Sequence, residues 1–298
     1  EGISTQNECE LRGCIYNENI IPSGCYYPND FGYYLNSNIT RLSNGFFCTI
    51  SNHNIKLNKT YNSPYKGTVN DVEFTMNDKA SPFIEMTFND ANADPGRFEV
   101  PINYKDVNKL RNDNKMFVYQ VTQEYGEMFG VTITRSNGKN NIADTPFITT
   151  MVPGMVYSEQ YLQINMILPT TQYLYGWSDA NENFSLPGNW TTLGSFSSNH
   201  NGYHSVHPFL LGIESDGNAY GIFIKNGNAQ ELQIIGAPNE DMGFQYRTIG
   251  GIIDIIIFMG PTPDTVIHQY WEIIGAPYLP PYWALGFHLS QSQYGSIN

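Results

Sequence analysis

Four cysteines are the first residues in this chain whose type and spacing carry chemistry. Cys9, Cys14 and Cys25 crowd into the N-terminal end, and Cys48 stands apart in the apolar run Gly45-Phe-Phe-Cys-Thr-Ile50. Thiols grouped in this way either hold zinc or close disulfides. Zinc sites are built on C-x2-C pairs with histidines close by, and here no such pair occurs and the nearest histidine is His53. The cluster therefore reads as a small disulfide-stapled module ahead of the main fold. A second grouping is His200, His204 and His207 in Asn199-His-Asn-Gly-Tyr-His-Ser-Val-His-Pro208, a spacing that can present imidazoles to Zn²⁺ or Cu²⁺. The same run reads as a polar loop entering a strand at Val206, and no metal or cofactor is expected.

Three further patterns bear on binding. Trp177, Trp190 and Tyr203 can form a platform on which sugar rings stack while Asn and Ser side chains bond the hydroxyls. Aromatics at the edge of a β-sandwich also serve simply as core. Asn38-Ile-Thr40, Asn58-Lys-Thr60, Asn183-Phe-Ser185 and Asn189-Trp-Thr191 are N-glycosylation acceptor triplets. Asp254, inside Ile252-Ile-Asp-Ile-Ile-Ile257, is either a tuned acid or a structural carboxylate that accepts hydrogen bonds. The structural reading is preferred, with Arg247 as its candidate partner.

The elements that must position these residues are strands. Segments such as Asp71-Val-Glu-Phe-Thr-Met76, Ser81-Pro-Phe-Ile-Glu-Met-Thr-Phe88, Lys115-Met-Phe-Val-Tyr-Gln-Val121 and Gly130-Val-Thr-Ile-Thr134 alternate with period two. Turn signals such as Ser136-Asn-Gly-Lys139 break them up, which predicts an all-β class and a large β-sandwich. One helix is predicted over Thr262-Pro-Asp-Thr-Val-Ile-His-Gln-Tyr-Trp-Glu-Ile-Ile274, with Thr262 as N-cap, Pro263 at the first helical position, Asp264 at the positive dipole end and Gly275 as terminator. After it, Ala276-Pro-Tyr-Leu-Pro-Pro-Tyr-Trp283 is too rich in proline for helix or central strand, and Ala284 to Ser290 reads as an apolar strand with nothing after it to pair with.

Composition sets the outer bounds. The 298 residues allow two domains or one large β domain. Fifteen Lys and Arg against 28 Asp and Glu give a formal charge of −13, which argues against phosphate backbones and anionic lipid as partners. The most apolar window, Gly251 to Met259, is too short to span a bilayer and carries Asp254 in its middle, so it predicts a buried strand. Low charge offset by Asn and Ser, together with the sequons, fits a secreted glycoprotein. A chain that starts at Glu1 with no apolar leader is expected to be a mature secreted chain or a piece of a longer one.

The order of several strings carries a resemblance. Glu10-Leu-Arg-Gly-Cys14, Cys25-Tyr-Tyr27, Arg97-Phe-Glu-Val-Pro101, Leu168-Pro169 with Tyr173-Leu-Tyr-Gly176, Tyr246-Arg-Thr-Ile-Gly-Gly-Ile-Ile-Asp254, Phe258-Met-Gly-Pro-Thr-Pro263 and Tyr282-Trp-Ala-Leu-Gly-Phe-His-Leu-Ser290 follow one another along almost the whole chain. Together they resemble the N-terminal part of glycoside hydrolase family 31, of the intestinal maltase-glucoamylase and sucrase-isomaltase type. The resemblance implies a trefoil (P-type) module over 1–30, a mutarotase-like β-sandwich over 31–275, and over 276–298 a linker and the first strand of a (β/α)8 barrel that this chain does not include. It also implies that Cys9 pairs with Cys25 and that Cys14 has lost its usual partner, leaving Cys48 as a substitute partner or a buried thiol.

The family's chemistry is double displacement at an anomeric carbon by two carboxyl groups, and both come from the barrel. No catalytic residue is therefore expected here. Trp177-Ser-Asp-Ala-Asn-Glu182 fits the outline W-x-D-x-N-E of the family's nucleophile motif, but it follows a sandwich passage and leads into the sequon at Asn183, so Asp179 is expected to be a coincidence. The loop by which the family's sandwich reaches over the active site is rewritten, because Ser197 and Ser198 stand where Arg-Asp is usual. The leading expectation is a secreted, non-catalytic protein that binds or self-associates through the surface a barrel would cover and through the apolar tail. The alternatives are the N-terminal scaffold of a longer α-glucosidase, and a carbohydrate- or apolar-ligand-binding protein.

Overall fold

The computed structural model describes residues 5–11, 14–19, 24–61, 63, 65–80, 83–102, 117–122, 124–135, 148–150, 153–177, 190–193, 206–239, 242–289 and 295. At the N-terminus, helix α1 (Gln6–Leu11) leads into the short strands β1 (Ile15–Tyr16) and β2 (Cys25–Tyr26). The helix begins with a reciprocal cap: the Thr5 hydroxyl accepts from the Glu8 backbone N–H at 3.3 Å, and the Glu8 carboxylate accepts from the Thr5 N–H at 3.0 Å. So short a helix is marginal alone. A Cys9–Cys25 disulfide, with Cα atoms 5.7 Å apart, ties it to the β1–β2 pair.

The first run of sandwich strands is β3 (Tyr34–Leu35), β4 (Thr40–Leu42), β5 (Gly45–Ser51), β6 (His53–Asn54), β7 (Lys59–Thr60), β8 (Asp71–Ala80) and β9 (Phe83–Asp90). A second run is β10 (Phe117–Val121), β11 (Val131–Arg135), β12 (Ile148–Thr149), β13 (Val156–Tyr157) and β14 (Leu162–Leu168). A third is β15 (Thr171–Gly176), β16 (Thr191–Leu193), β17 (Phe209–Glu214), β18 (Ala219–Ile224), β19 (Gln230–Gly236), β20 (Met242–Thr248) and β21 (Ile253–Phe258). Apart from β1–β2 and β6–β7, which each form a two-stranded pair, the described strands assemble into two large antiparallel sheets. The nine-stranded sheet runs β15-β17-β18-β21-β9-β8-β5-β3 with β4 beside β5, and the eight-stranded sheet runs β10-β11-β12-β14-β20-β19-β16 with β13 beside β14. The expected all-β sandwich is thus what forms, with a disulfide-stapled module ahead of it.

Period-two patterning explains how the sheets face each other. Along β20, Met242, Phe244, Tyr246 and Thr248 point inward while Gly243, Gln245 and Arg247 point outward. Along β5, Phe46, Cys48 and Ile50 enter the same core, which fuses inward residues of both sheets into one cluster. Each fully buried side chain of this size contributes about 1.5–3 kcal/mol. Strands β18 and β21 are buried on both faces, as the apolar window around Asp254 predicts. Their second face is covered by α2 (Pro263–Ile274), whose Val266 and Ile273 pack on Phe83, Phe223, Ile256 and Phe258. The expected caps of this helix are present: the Thr262 hydroxyl accepts from the Thr265 N–H at 3.2 Å, and Gly275 ends the helix at φ 90°.

Beyond α2 the expected apolar strand does not form. Tyr282–Leu285 make a single 3-10 turn, and residues 286–289 have no ladder partner among the described residues. A strand is stable only when its N–H and C=O groups find partners, and nothing in the described part of this chain supplies them.

Candidate functional site

The sequence singles out residues that the fold sends to different places. Trp177 is not a platform for sugar rings. It follows Gly176 at the end of β15 with a positive φ of 65°, which turns the indole into the core; there it is 1% exposed, meets Tyr246 edge-on and donates from Nε1 to the Thr191 carbonyl at 3.0 Å. Trp190 lies on the outside, where the Arg247 guanidinium stacks on its ring at 3.8 Å. Tyr203, His200, His204, Asp179, Asn183, Asn189 and the Ser136–Lys139 turn lie outside the described residues. His207 is exposed just before β17. Asn38 is exposed in the connection between β3 and β4, and Asn58 on the turn between β6 and β7. Among the described residues no group of three or more His, Cys, Asp or Glu is placed to hold a metal.

Cys14 and Cys48 do not pair. Cys48 is a thiol on the inward face of β5, fully buried, and burial pushes its pKa up to about 12. A side chain locked into the sandwich core by Phe46 and Ile50 on the same strand face cannot reach the N-terminal module.

The outward face of the eight-stranded sheet carries a cluster that only register explains. Gln163, Arg247, Glu231 and Thr192 stand opposite one another across β14, β20, β19 and β16. Arg247 Nε donates to Glu231 Oε2 at 2.5 Å with Nη2 2.5 Å from the same oxygen, and Thr192 Oγ1 donates to Glu231 Oε1 at 2.7 Å. On the far side of Gln163, the Tyr161 hydroxyl donates to its Oε1 at 2.8 Å, and Tyr65 stacks on Tyr161 with ring centroids 3.8 Å apart. Burial works against the Arg247 charge, but Glu231 outweighs it, so its pKa is raised. The result is a charge-neutral ridge of guanidinium and aromatic rings.

On the outer side of the other sheet, Asp254 does not pair with Arg247. Its Oδ2 lies 2.6 Å from Lys225 Nζ, which also lies 3.3 Å from Glu85 Oε1. Asn77 Nδ2 donates to Glu85 Oε2 at 3.3 Å. All three charged side chains are at least nine-tenths buried, and Asp254 Oδ1 has no hydrogen-bond partner among the described residues. Burial pushes the Asp254 pKa up to about 7; Lys225 pulls it down, and the Glu85 and Glu99 carboxylates add to the rise. Burial also opposes the Lys225 charge, but the two carboxylates outweigh it and its pKa is raised. The signals for this triad were present in the sequence. Lys225 closes the wholly apolar strand Ala219–Ile224, and Glu85 interrupts Phe83–Phe88.

The most exposed apolar feature is the segment after α2. Tyr278, Leu279, Tyr282, Trp283, Leu285, Phe287 and Leu289 are all open to solvent, from 69% for Leu285 to 91% for Phe287. No described helix is long and apolar enough to cross a membrane.

Comparison with known proteins places this arrangement. The chain is 29% identical over 98% of its length to the intestinal sucrase-isomaltase of Oryctolagus cuniculus, 31% identical over 99% to that of Suncus murinus, and 29% identical over 99% to the lysosomal alpha-glucosidase of Bos taurus. The chain is homologous to members of glycoside hydrolase family 31. It spans 16% of each of the two sucrase-isomaltases and 30% of the lysosomal enzyme. No family model matches it. Its fold matches a glucosidase II alpha subunit with a TM-score of 0.55 at 13% identity, covering 82% of this chain and 34% of that one. It also matches a Flavobacterium johnsoniae dextranase of family 31 in complex with glucose, with a TM-score of 0.55 at 16% identity over 85% of this chain and 30% of that one. The homology makes this a glycoside-hydrolase-related protein, and the relatives' names place them in intestine and lysosome.

Proposed function

We propose that this chain is a non-catalytic module of secreted or lumenal type that works by binding and assembly, with a trefoil-like part over 1–30, a sandwich over 31–275 and an adhesive tail over 276–298. The observation that carries the reading is the exposed apolar tail. Seven large apolar side chains in water constitute a patch that soluble surfaces avoid unless it is used. The tail follows a well-capped helix anchored on the sandwich, so the fold holds its base in place. We assign it to docking against a second copy of this chain.

The test is light scattering on the chain as it stands and on the variant Leu279→Ser/Trp283→Ser/Phe287→Ser. The expected result is an associated wild type and a monomeric variant with an unchanged thermal midpoint, because these side chains touch no core. A wild type that stays monomeric at high concentration overturns self-association. A second reading is favoured by the small share of each relative that the chain spans: the tail would be covered by a further domain of one longer polypeptide, and the module would then be the scaffold of an α-glucosidase. Reading the natural transcript past the codon for Asn298 decides between them. An open frame whose product protects Tyr282 and Trp283 from hydroxyl-radical oxidation supports the scaffold.

A further inference from the structure

Two of the four acceptor triplets fall among the described residues. Asn38 is exposed in the connection between β3 and β4, and Asn58 is exposed on the turn between β6 and β7. Among the described residues neither carboxamide is engaged in a hydrogen bond, so folding leaves both side chains open. Thr40 and Thr60, whose hydroxyls complete the triplets, are exposed as well. The compartment is indicated independently. The Cys9–Cys25 disulfide belongs to an oxidising environment, and in cells that lumen is where asparagine is glycosylated.

Position makes one of these sites more than a decoration. Strand β4 pairs only with β5 among the described strands, all three of its residues are exposed, and no described strand lies against its other edge, where Leu42 is exposed. Such an edge is a template for a second chain unless something blocks it. Asn38 lies two residues before β4, about 7 Å away along the chain.

We propose that Asn38 and Asn58 are N-glycosylated, and that the Asn38 glycan covers the open β4 edge so that association is confined to the tail. The second half rests on the assembly reading above. In the transfer, the Asn Nδ2 attacks C1 of the first sugar of a lipid-pyrophosphate-linked oligosaccharide and loses one proton. The N–C1 bond forms, the C1–O bond to pyrophosphate breaks, and the electron pair leaves with the lipid pyrophosphate.

The experiment is secretion of the full chain from a glycosylating host, followed by peptide mapping after amidase release in heavy-oxygen water, which marks each former glycan site as labelled Asp. Asn58 has φ 47°, a conformation that Gln adopts poorly, so its triplet is removed as Thr60→Val, and the other as Asn38→Gln, which leaves β4 unaltered. Labelled Asp is expected at both positions, with each variant losing one glycan. Unlabelled Asn at Asn38 and Asn58 overturns the site assignment. For the edge, Asn38→Gln is combined with the tail variant of the preceding section. The glycosylated tail variant is expected to be monomeric and the combined variant to associate again, with a roughly twofold rise in mass. A combined variant that stays monomeric overturns the edge role. A glycosylated tail variant that still associates refutes the assembly reading alone, and the glycan map stands.

Discussion

Replacing Asp254 by Asn should remove a pH dependence of stability that its burial imposes. The carboxyl titrates from an ordinary 3.8 up to about 7 in the fold, where it lies 2.6 Å from Lys225 with Glu85 and Glu99 adding negative potential. Between those values the folded chain keeps a proton that the unfolded chain has released. Stability therefore falls as pH rises through that window and levels off above about 7. Below 3.8 both states hold the proton and the contribution is constant. At about 1.4 kcal/mol per unit, moving from pH 5 to about pH 7 or above removes roughly 3 kcal/mol, or about 6–12 °C of Tm for a domain of this size. Urea unfolding at pH 5 and pH 8 reads the effect. The Asp254→Asn variant should match the wild type at pH 5 and exceed it at pH 8, because the amide mimics the protonated acid and Glu85 still holds Lys225. Glu85→Gln removes a like charge and should shift the wild-type transition to lower pH. A wild type that is most stable at pH 8, or an Asn variant that keeps the wild-type slope, refutes the reasoning.

Three further outcomes test the fold around the candidate surfaces. Cys25→Ser opens the 16-residue loop closed by Cys9 and should cost the N-terminal module about 3 kcal/mol, seen as early hydrogen exchange in residues 6–26 while the sandwich transition is unmoved. Thr262→Ala removes the cap of α2 and should lower stability by about 1 kcal/mol in urea titrations. Gly221→Ala places a Cβ 2.6 Å from Val266 Cγ1 and 3.1 Å from Phe258 Cδ2, which wedges α2 off the sheet and should cost about 1–3 kcal/mol with a rise in dye binding to the exposed face.

Much of the architecture was legible along the chain because it rests on local rules. Alternation along Asp71–Met76 and Met242–Thr248 is a direct consequence of strand geometry, and the caps at Thr262 and Gly275 answer backbone groups within one helical turn. The Cys9–Cys25 bond joins residues that the resemblance already paired. The tail showed its apolar content in the sequence, but its conformation follows from what lies beside it. Tyr282–Leu285 form a 3-10 turn, and no described strand pairs with the residues that follow it.

The candidate sites were harder to read because they depend on which face and which neighbour each residue receives. Trp177 and Trp190 look equivalent as sequence, yet a positive φ at one of them turns an indole into the core while the other stacks on Arg247. Cys48 is set in the core by the same alternation that buries Phe46 and Ile50, which removes it from any disulfide. Asp254 and Arg247 are seven positions apart in the chain, but β20 and β21 belong to opposite sheets and both side chains point outward, so the whole sandwich separates them. Composition and period alone determined that this is an acidic all-β chain with a capped helix and an apolar tail. The partners of its buried charges were decided only by sheet register, because hydrogen-bonded pairing brings together residues as distant as Glu85 and Lys225 and no local pattern records that choice.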